Sequence, residues 1–140
     1  MEDLSLHILD VVENSIRAGA NEISVLLSES RLNNTLTVQI QDNGCGIDKE
    51  TLAHVSDPFY STKEGKSFGF GISLLAQAAE NTGGYLTVES TEGEGTDIKA
   101  LFHSDHIDMK PVGDMQLTMD LLKMSHGEIS FIFKEVDETI

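Results

Sequence analysis

Asp10, Asn14 and Arg17 follow one another at intervals of four and three residues in the segment LSLHILDVVENSIRAGA. In a helix, residues three and four apart share a face. A carboxylate and an amide oxygen one turn apart can both point at one Mg²⁺ or one activated water, because a hard cation takes oxygen ligands and keeps waters and substrate phosphates as the others. A guanidinium on the same face can steady phosphate oxygens; a surface ion pair is the alternative use for it. A solvated helix face is the plain reading of an Asp/Asn pair alone.

Three further motifs follow in order: DNGCGI (Asp42 to Ile47), DPFYSTK (Asp57 to Lys63) and GFGISLL (Gly69 to Leu75). Asp42 ends the alternating run LTVQIQ, which reads as a half-buried strand. There its carboxylate can accept from an exocyclic amine, and Gly44 and Gly46 permit a sharp turn or close backbone approach. Cys45 reads as a small filler of that turn. Gly69, Phe70 and Gly71 open a helix whose first N–H groups are free, with Lys63 and Lys66 just upstream, an arrangement suited to an anion.

The elements that must position these groups follow from periodicity. Leu6, Leu9, Val12 and Ile16 predict the buried face of a helix over residues 5–18. Strands are predicted over 21–29 and 35–41 around an Asn33-Asn34 turn, then a short helix over 49–55 and a long one over 71–82 closed by Gly83 and Gly84. Strands over 84–91 and 96–103 flank a GEGT turn, residues Gly93 to Thr96. The tail reads as a loop, an apolar-periodic stretch with Met115, Met119, Leu122 and Met124, and a strand from Glu128 to Phe133. Core packing and an adaptable partner surface are both open uses of that methionine-rich face. His103 and His106, with Asp105 and Asp108 beside them, read as a solvated loop rather than a metal site.

The joint order of the motifs resembles the gyrase, Hsp90, histidine-kinase and mismatch-repair (GHKL) ATP-binding domain, the Bergerat fold. Asn14 matches its magnesium asparagine, Asp42 its adenine-reading aspartate, and Gly44, Gly46 and Ile47 its first glycine box. Phe59 and Lys63 match its lid, Gly69, Phe70 and Gly71 its second glycine box, and the GEGT threonine, Thr96, its last. The resemblance runs from about Leu6 to Phe102. It implies an α/β (α+β) two-layer sandwich with a mixed, mostly antiparallel sheet, helices on one face, and ATP with Mg²⁺ bound between helices and lid. It implies a histidine-kinase-like ATPase domain over residues 1–103 and a helix-strand extension over 104–140 packed on it.

Within that superfamily, the hydrolysing branches place Glu four residues before the asparagine and tend to Asp three after it. This chain has Asp10 and Arg17, and Arg17 resembles the kinase branch. Ser67 and Phe68 depart from the usual kinase lid, and the phrasing around them also resembles the anti-sigma serine kinases. The resemblance implies a kinase module, with Asp10 orienting an acceptor or a water. At 140 residues the chain leaves no room for the second domain of the mismatch-repair and gyrase-like enzymes, or for a domain bearing an acceptor histidine. The phosphoryl group is therefore expected to pass to a histidine or serine on a separate protein; an ATP-gated binding module or a weak ATPase is the alternative. A homodimer is left open.

Composition bounds the partners. A formal charge of −15, from 24 acidic and 9 basic residues, repels a nucleic-acid backbone. One cysteine makes no internal disulfide, and neither a signal-peptide pattern nor an apolar run long enough to span a bilayer is present. A cytoplasmic protein is the expectation.

Overall fold

The computed structural model describes residues 3–53 and 71–138. The chain opens with helix α1 (Leu4–Arg17), then the hairpin β1 (Glu22–Ser30) and β2 (Thr35–Asp42) and a single helical turn, α2 (Lys49–Leu52). Helix α3 (Gly71–Asn81), strands β3 (Tyr85–Thr91) and β4 (Gly95–His103), helix α4 (Met115–Ser125) and strand β5 (Ser130–Glu138) complete it. The five strands form one sheet in the order β3-β4-β2-β1-β5. Neighbours are antiparallel except β5, which runs parallel to β1. The fold is α+β, with a mixed five-stranded sheet and helices, as the family resemblance implies.

Alternation along the strands makes the core. Ile23, Val25 and Leu27 of β1, Leu36, Val38 and Ile40 of β2, and Ile98, Ala100 and Phe102 of β4 are buried. They form one cluster with Leu4, Ile8, Val11 and Val12 of α1, Ile72, Leu75 and Ala79 of α3, and Met115, Met119 and Leu122 of α4. Removing this apolar surface from water is the main stabilising term. The helices therefore share the inner face of the sheet.

Helix α1 buries a different stripe from the one periodicity predicts. Leu4, Ile8, Val11, Val12 and Ser15 are buried, whereas Leu6 is 48% exposed and Leu9 and Ile16 are only partly buried. The reason is a second apolar neighbour. Leu9 and Ile16 line a hollow with Leu121 and Leu122 of α4, so α1 carries two apolar stripes, and the sequence pattern blends them. Helix α4 departs too, since Met115 and Met119 are buried but Met124 is 82% exposed.

The segment beyond β4 is tied to the front of the chain. The first free N–H groups of α1, on Leu4 and Ser5, donate to the carbonyls of Pro111 and Val112 at 2.9 and 2.8 Å. Strand β5 runs to Glu138, five residues beyond the predicted end at Phe133, because its polar second half pairs with β1 through Ser30. An edge strand needs one partner only, so KEVDE can leave its other side to water. Among the described residues no helix is long and apolar enough to cross a membrane.

Candidate functional site

Register brings the first elements of the site together. Asp42, the last residue of β2, lies opposite Ile23 on one side and Thr96 of β4 on the other. Residues paired in this way have side chains within reach of one another. The aspartate and threonine singled out on the sequence are thus neighbours at one end of the sheet, 54 positions apart in the chain (96 − 42).

The Asp42 carboxylate is held on both oxygens. Oδ2 accepts from Ser15 Oγ at 2.6 Å and Oδ1 from the Gly44 N–H at 2.8 Å. Hydrogen bonds to a carboxylate are stronger than neutral ones, and two of them fix its plane. Ser15 is 4% exposed, so its hydroxyl spans the space between α1 and the sheet. Neither bond removes the remaining lone pairs of the carboxylate, which stay available to a donor.

The DNGCGI turn is fastened at all of its residues but Gly46 by the hydrogen bonds described. Asn43 Oδ1 accepts from the N–H groups of Asn21 and Glu22, and its Nδ2 donates to Asn21 Oδ1. The Cys45 N–H donates to the Ala18 carbonyl at 2.9 Å, and the Cys45 carbonyl accepts from Gly93 N–H at 2.7 Å. Ile47 N–H donates to Ser90 Oγ at 2.8 Å. The turn is thereby clamped between the end of α1, the start of β1 and the β3–β4 hairpin.

Two glycines explain why the clamp can close. Gly46 has φ +75°, and a Cβ there would lie 2.3 Å from the Thr91 carbonyl oxygen. Gly95 has φ +138°, and a Cβ would lie 2.1 Å from the carbonyl oxygen of Asp42. Either contact is impossible without moving backbone. Gly71 is a different case, because its missing Cβ would meet Asp10 Cβ and Val11 N, each at 2.8 Å. The start of α3 is therefore pressed onto α1, and helix packing alone requires glycine at that position.

These elements enclose a cavity of about 260 Å³, lined among others by Asn14, Arg17, Asp42, Gly46, Ile47 and Thr96. Val11, Ser15, Ala18, Cys45, Ile72 and Ile98 also line it. An apolar slot with a few fixed polar groups is the ordinary form of a small-molecule site. Gly44 borders it through Asp42 and Ala18. Asp10 is exposed and does not line the cavity; it sits beside Gly71 one turn before Asn14. Phe59, Lys63, Gly69 and Phe70 lie outside the described residues.

The α1 wall differs in character from the sheet end. Arg17 donates from its guanidinium to Asn14 Oδ1, which fixes the amide orientation, since arginine can only donate. Asn14 Nδ2 is buried and has no hydrogen-bond partner among the described residues. A buried, unsatisfied donor costs on the order of 1–3 kcal/mol, and an oxygen-rich ligand would relieve that cost. Among the described residues no three His, Cys, Asp or Glu gather to hold a metal alone. The chemistry present suits a cation that arrives with phosphate oxygens, for which Asn14 Oδ1 has one lone pair left.

Ser15, Asn21, Asn43 and Ser90 escaped the sequence reading. Ser15 had a signal, since a small polar residue between Val11 and Val12 on one side and the sheet on the other must find a buried partner. Asn43 and Ser90 had none beyond their place in a turn and a strand.

Comparison with known proteins gives the family. The family model described as histidine kinase-, DNA gyrase B- and HSP90-like ATPase matches residues 2–106. A sensor protein of Shewanella frigidimarina (strain NCIMB 400) is 31% identical over 98 residues, which cover 68% of this chain and 15% of that protein. Sensor kinase CckA of Brucella abortus (strain 2308) is 27% identical over 107 residues, covering 73% of this chain and 11% of its own length. The circadian input-output histidine kinase CikA of Synechocystis (strain PCC 6803) is 25% identical over 144 aligned positions, covering 99% of this chain and 19% of its own length. The chain thus spans less than a fifth of each of these three relatives. By its motifs, its fold and this match, the chain is a member of the histidine kinase-, DNA gyrase B- and HSP90-like ATPase family.

Proposed function

We propose that the cavity binds Mg-ATP and that the chain transfers the γ-phosphoryl group to a histidine or serine of a separate protein. The observation that carries the reading is the polarity of the cavity. Its sheet end presents acceptors, the Asp42 carboxylate and Thr96, and its α1 wall presents donors, Arg17 and the unpartnered Asn14 Nδ2. A purine bearing an amine fits the first, and phosphate oxygens with their Mg²⁺ fit the second. Kinases among the named relatives support the same reading.

In phosphoryl transfer, positioning and charge do most of the work. The acceptor's lone pair forms the new bond to phosphorus while the bond to the bridging oxygen breaks and ADP leaves. Mg²⁺ arriving with the nucleotide would offset charge on the phosphate oxygens. Asn14 would hold that ion, Arg17 would steady the phosphates, and Asp42 would fix the base; Gly44, Gly46 and Ile47 shape the turn around it. Lys63, Phe59, Gly69, Phe70 and Gly71 belong to the same assignment as lid and glycine box. Asp10, on the open face of α1, is assigned to orient the acceptor.

A second reading, an ATP-gated binding module with little turnover, draws on the position of Asp10 outside the cavity lining. Incubating the full chain with Mg²⁺ and γ-labelled ATP exposes each reading to refutation. Slow ADP release with no label on the chain is expected. Base-stable label on one of its own histidines would refute transfer to a separate acceptor, and rapid ADP release lost in Asp10→Asn would refute the gated module.

A further inference from the structure

The Ser90 hydroxyl, on β3 just outside the cavity, touches three groups. It donates to the Gly95 carbonyl at 2.8 Å, accepts from the Ile47 N–H at 2.8 Å, and lies 3.0 Å from Thr96 Oγ1. A hydroxyl has one proton and two lone pairs. The carbonyl can only accept, so it takes the proton of Ser90; the amide N–H fills one lone pair. What faces Thr96 is the other lone pair. Two lone pairs 3.0 Å apart would repel, so Thr96 must direct its own proton at Ser90. Thr96 then has only lone pairs to show the cavity.

The same bookkeeping applies to its neighbours. Ser15 gives its proton to Asp42 at 2.6 Å, and the Asp42 carboxylate accepts that bond and the one from the Gly44 N–H. Each hydroxyl and carboxylate described at the sheet end of the cavity therefore accepts. We propose that Ser90 is a positioning residue for base selection. By drawing the Thr96 proton out of the cavity, it makes that end take a purine amine and refuse a 6-oxo purine.

The inference rests on the nucleotide reading above and adds a determinant to it. A 6-amino group has two protons, one for Asp42 and one for Thr96, its neighbour across the strand pair. A 6-oxo group sets its own lone pairs against these acceptors. Removing the Ser90 hydroxyl frees the Thr96 proton to rotate into the cavity and donate to the oxo oxygen.

The test is the ratio of Mg-ADP to Mg-IDP affinity, by isothermal titration of the full chain. Wild type should prefer ADP. Ser90→Ala should lower that preference by roughly three- to tenfold, the value of one neutral hydrogen bond. Ser90→Thr, which restores the hydroxyl, should restore the ratio. In a Thr96→Val background the Ser90→Ala change should leave the ratio where it was, because no proton remains to be redirected.

Ser90 also holds Ile47 and Gly95, so Ser90→Cys, which fills the space with a weak acceptor, serves as the companion variant and should shift the ratio the same way. A ratio unchanged in both Ser90 variants overturns the inference, as does an equal shift with and without the Thr96 hydroxyl. In either case the nucleotide reading stands if wild type binds ADP. Failure of wild type to bind either nucleotide overturns both.

Discussion

The two ends of the cavity are built to different standards. At the sheet end, Asp42 is bonded on both oxygens, the 43–47 turn is clamped by Asn21, Ala18, Ser90 and Gly93, and two glycines are required by backbone contacts under 2.5 Å. On the α1 wall, among the described residues, Asn14 is held by Arg17 alone, its amide nitrogen is buried without a partner, and Asp10 is exposed. On the proposed nucleotide reading, the end assigned to the base is preorganised by the fold, whereas the end assigned to the phosphates is left for the ligand to complete. Preorganisation lowers the cost of binding; an unsatisfied donor stores a preference for a ligand that supplies oxygen.

That contrast can be broken at several points. Gly46→Ala should have the largest effect, because it sets a Cβ against the Thr91 carbonyl in a left-handed conformation. A loss of about 3 kcal/mol in stability is expected, read by urea denaturation, and nucleotide binding should fall with the fold. Asp42→Asn should leave the fold in place and weaken Mg-ADP binding by about 100-fold, since the amide turns a donor toward the purine amine in place of a charged acceptor.

Asn14→Ala sharpens the contrast instead. It removes an unsatisfied buried donor, so stability should hold or rise by up to about 1 kcal/mol, while Mg-dependent affinity should fall by about tenfold. A parallel loss of stability would show that Nδ2 has a partner in the folded protein. Ser15→Ala should have the smallest effect, about fivefold weaker ADP binding, because Asp42 keeps its bond from Gly44 and loses only one of two restraints.

The sequence carried the order of elements and half of the described cavity lining. Helical and strand periods located α1, β1, β2, α3, β3 and β4 to within a residue or so, because each buries one face and the pattern records it. Asn14, Arg17, Asp42, Gly46, Ile47 and Thr96 were all singled out by motif, and register gathers them around one space. Legibility failed where a residue answers to two neighbours. Leu6, Leu9 and Ile16 form the period that the sequence offers for α1, but a second apolar stripe belongs to α4. Gly71 reads as an approach for phosphate, yet the contact that demands its missing Cβ is α1 itself.

The residues that hold the site rather than line it were the least visible. Asn43 and Ser90 act through hydrogen bonds that tie their turn and strand to other elements, Asn43 to the start of β1 and Ser90 to Ile47, and no local period marks such a bond. The polar half of β5 was hidden for a related reason, since an edge strand takes its stability from β1 rather than from its own side chains.

Isothermal titration of the full chain with Mg-ADP, with Asp42→Asn alongside, tests the nucleotide assignment most directly. Saturable one-site binding by the wild type and its loss in a variant that still unfolds cooperatively is the expected result. Equal affinity in the two proteins, or no binding by a folded wild type, would contradict it.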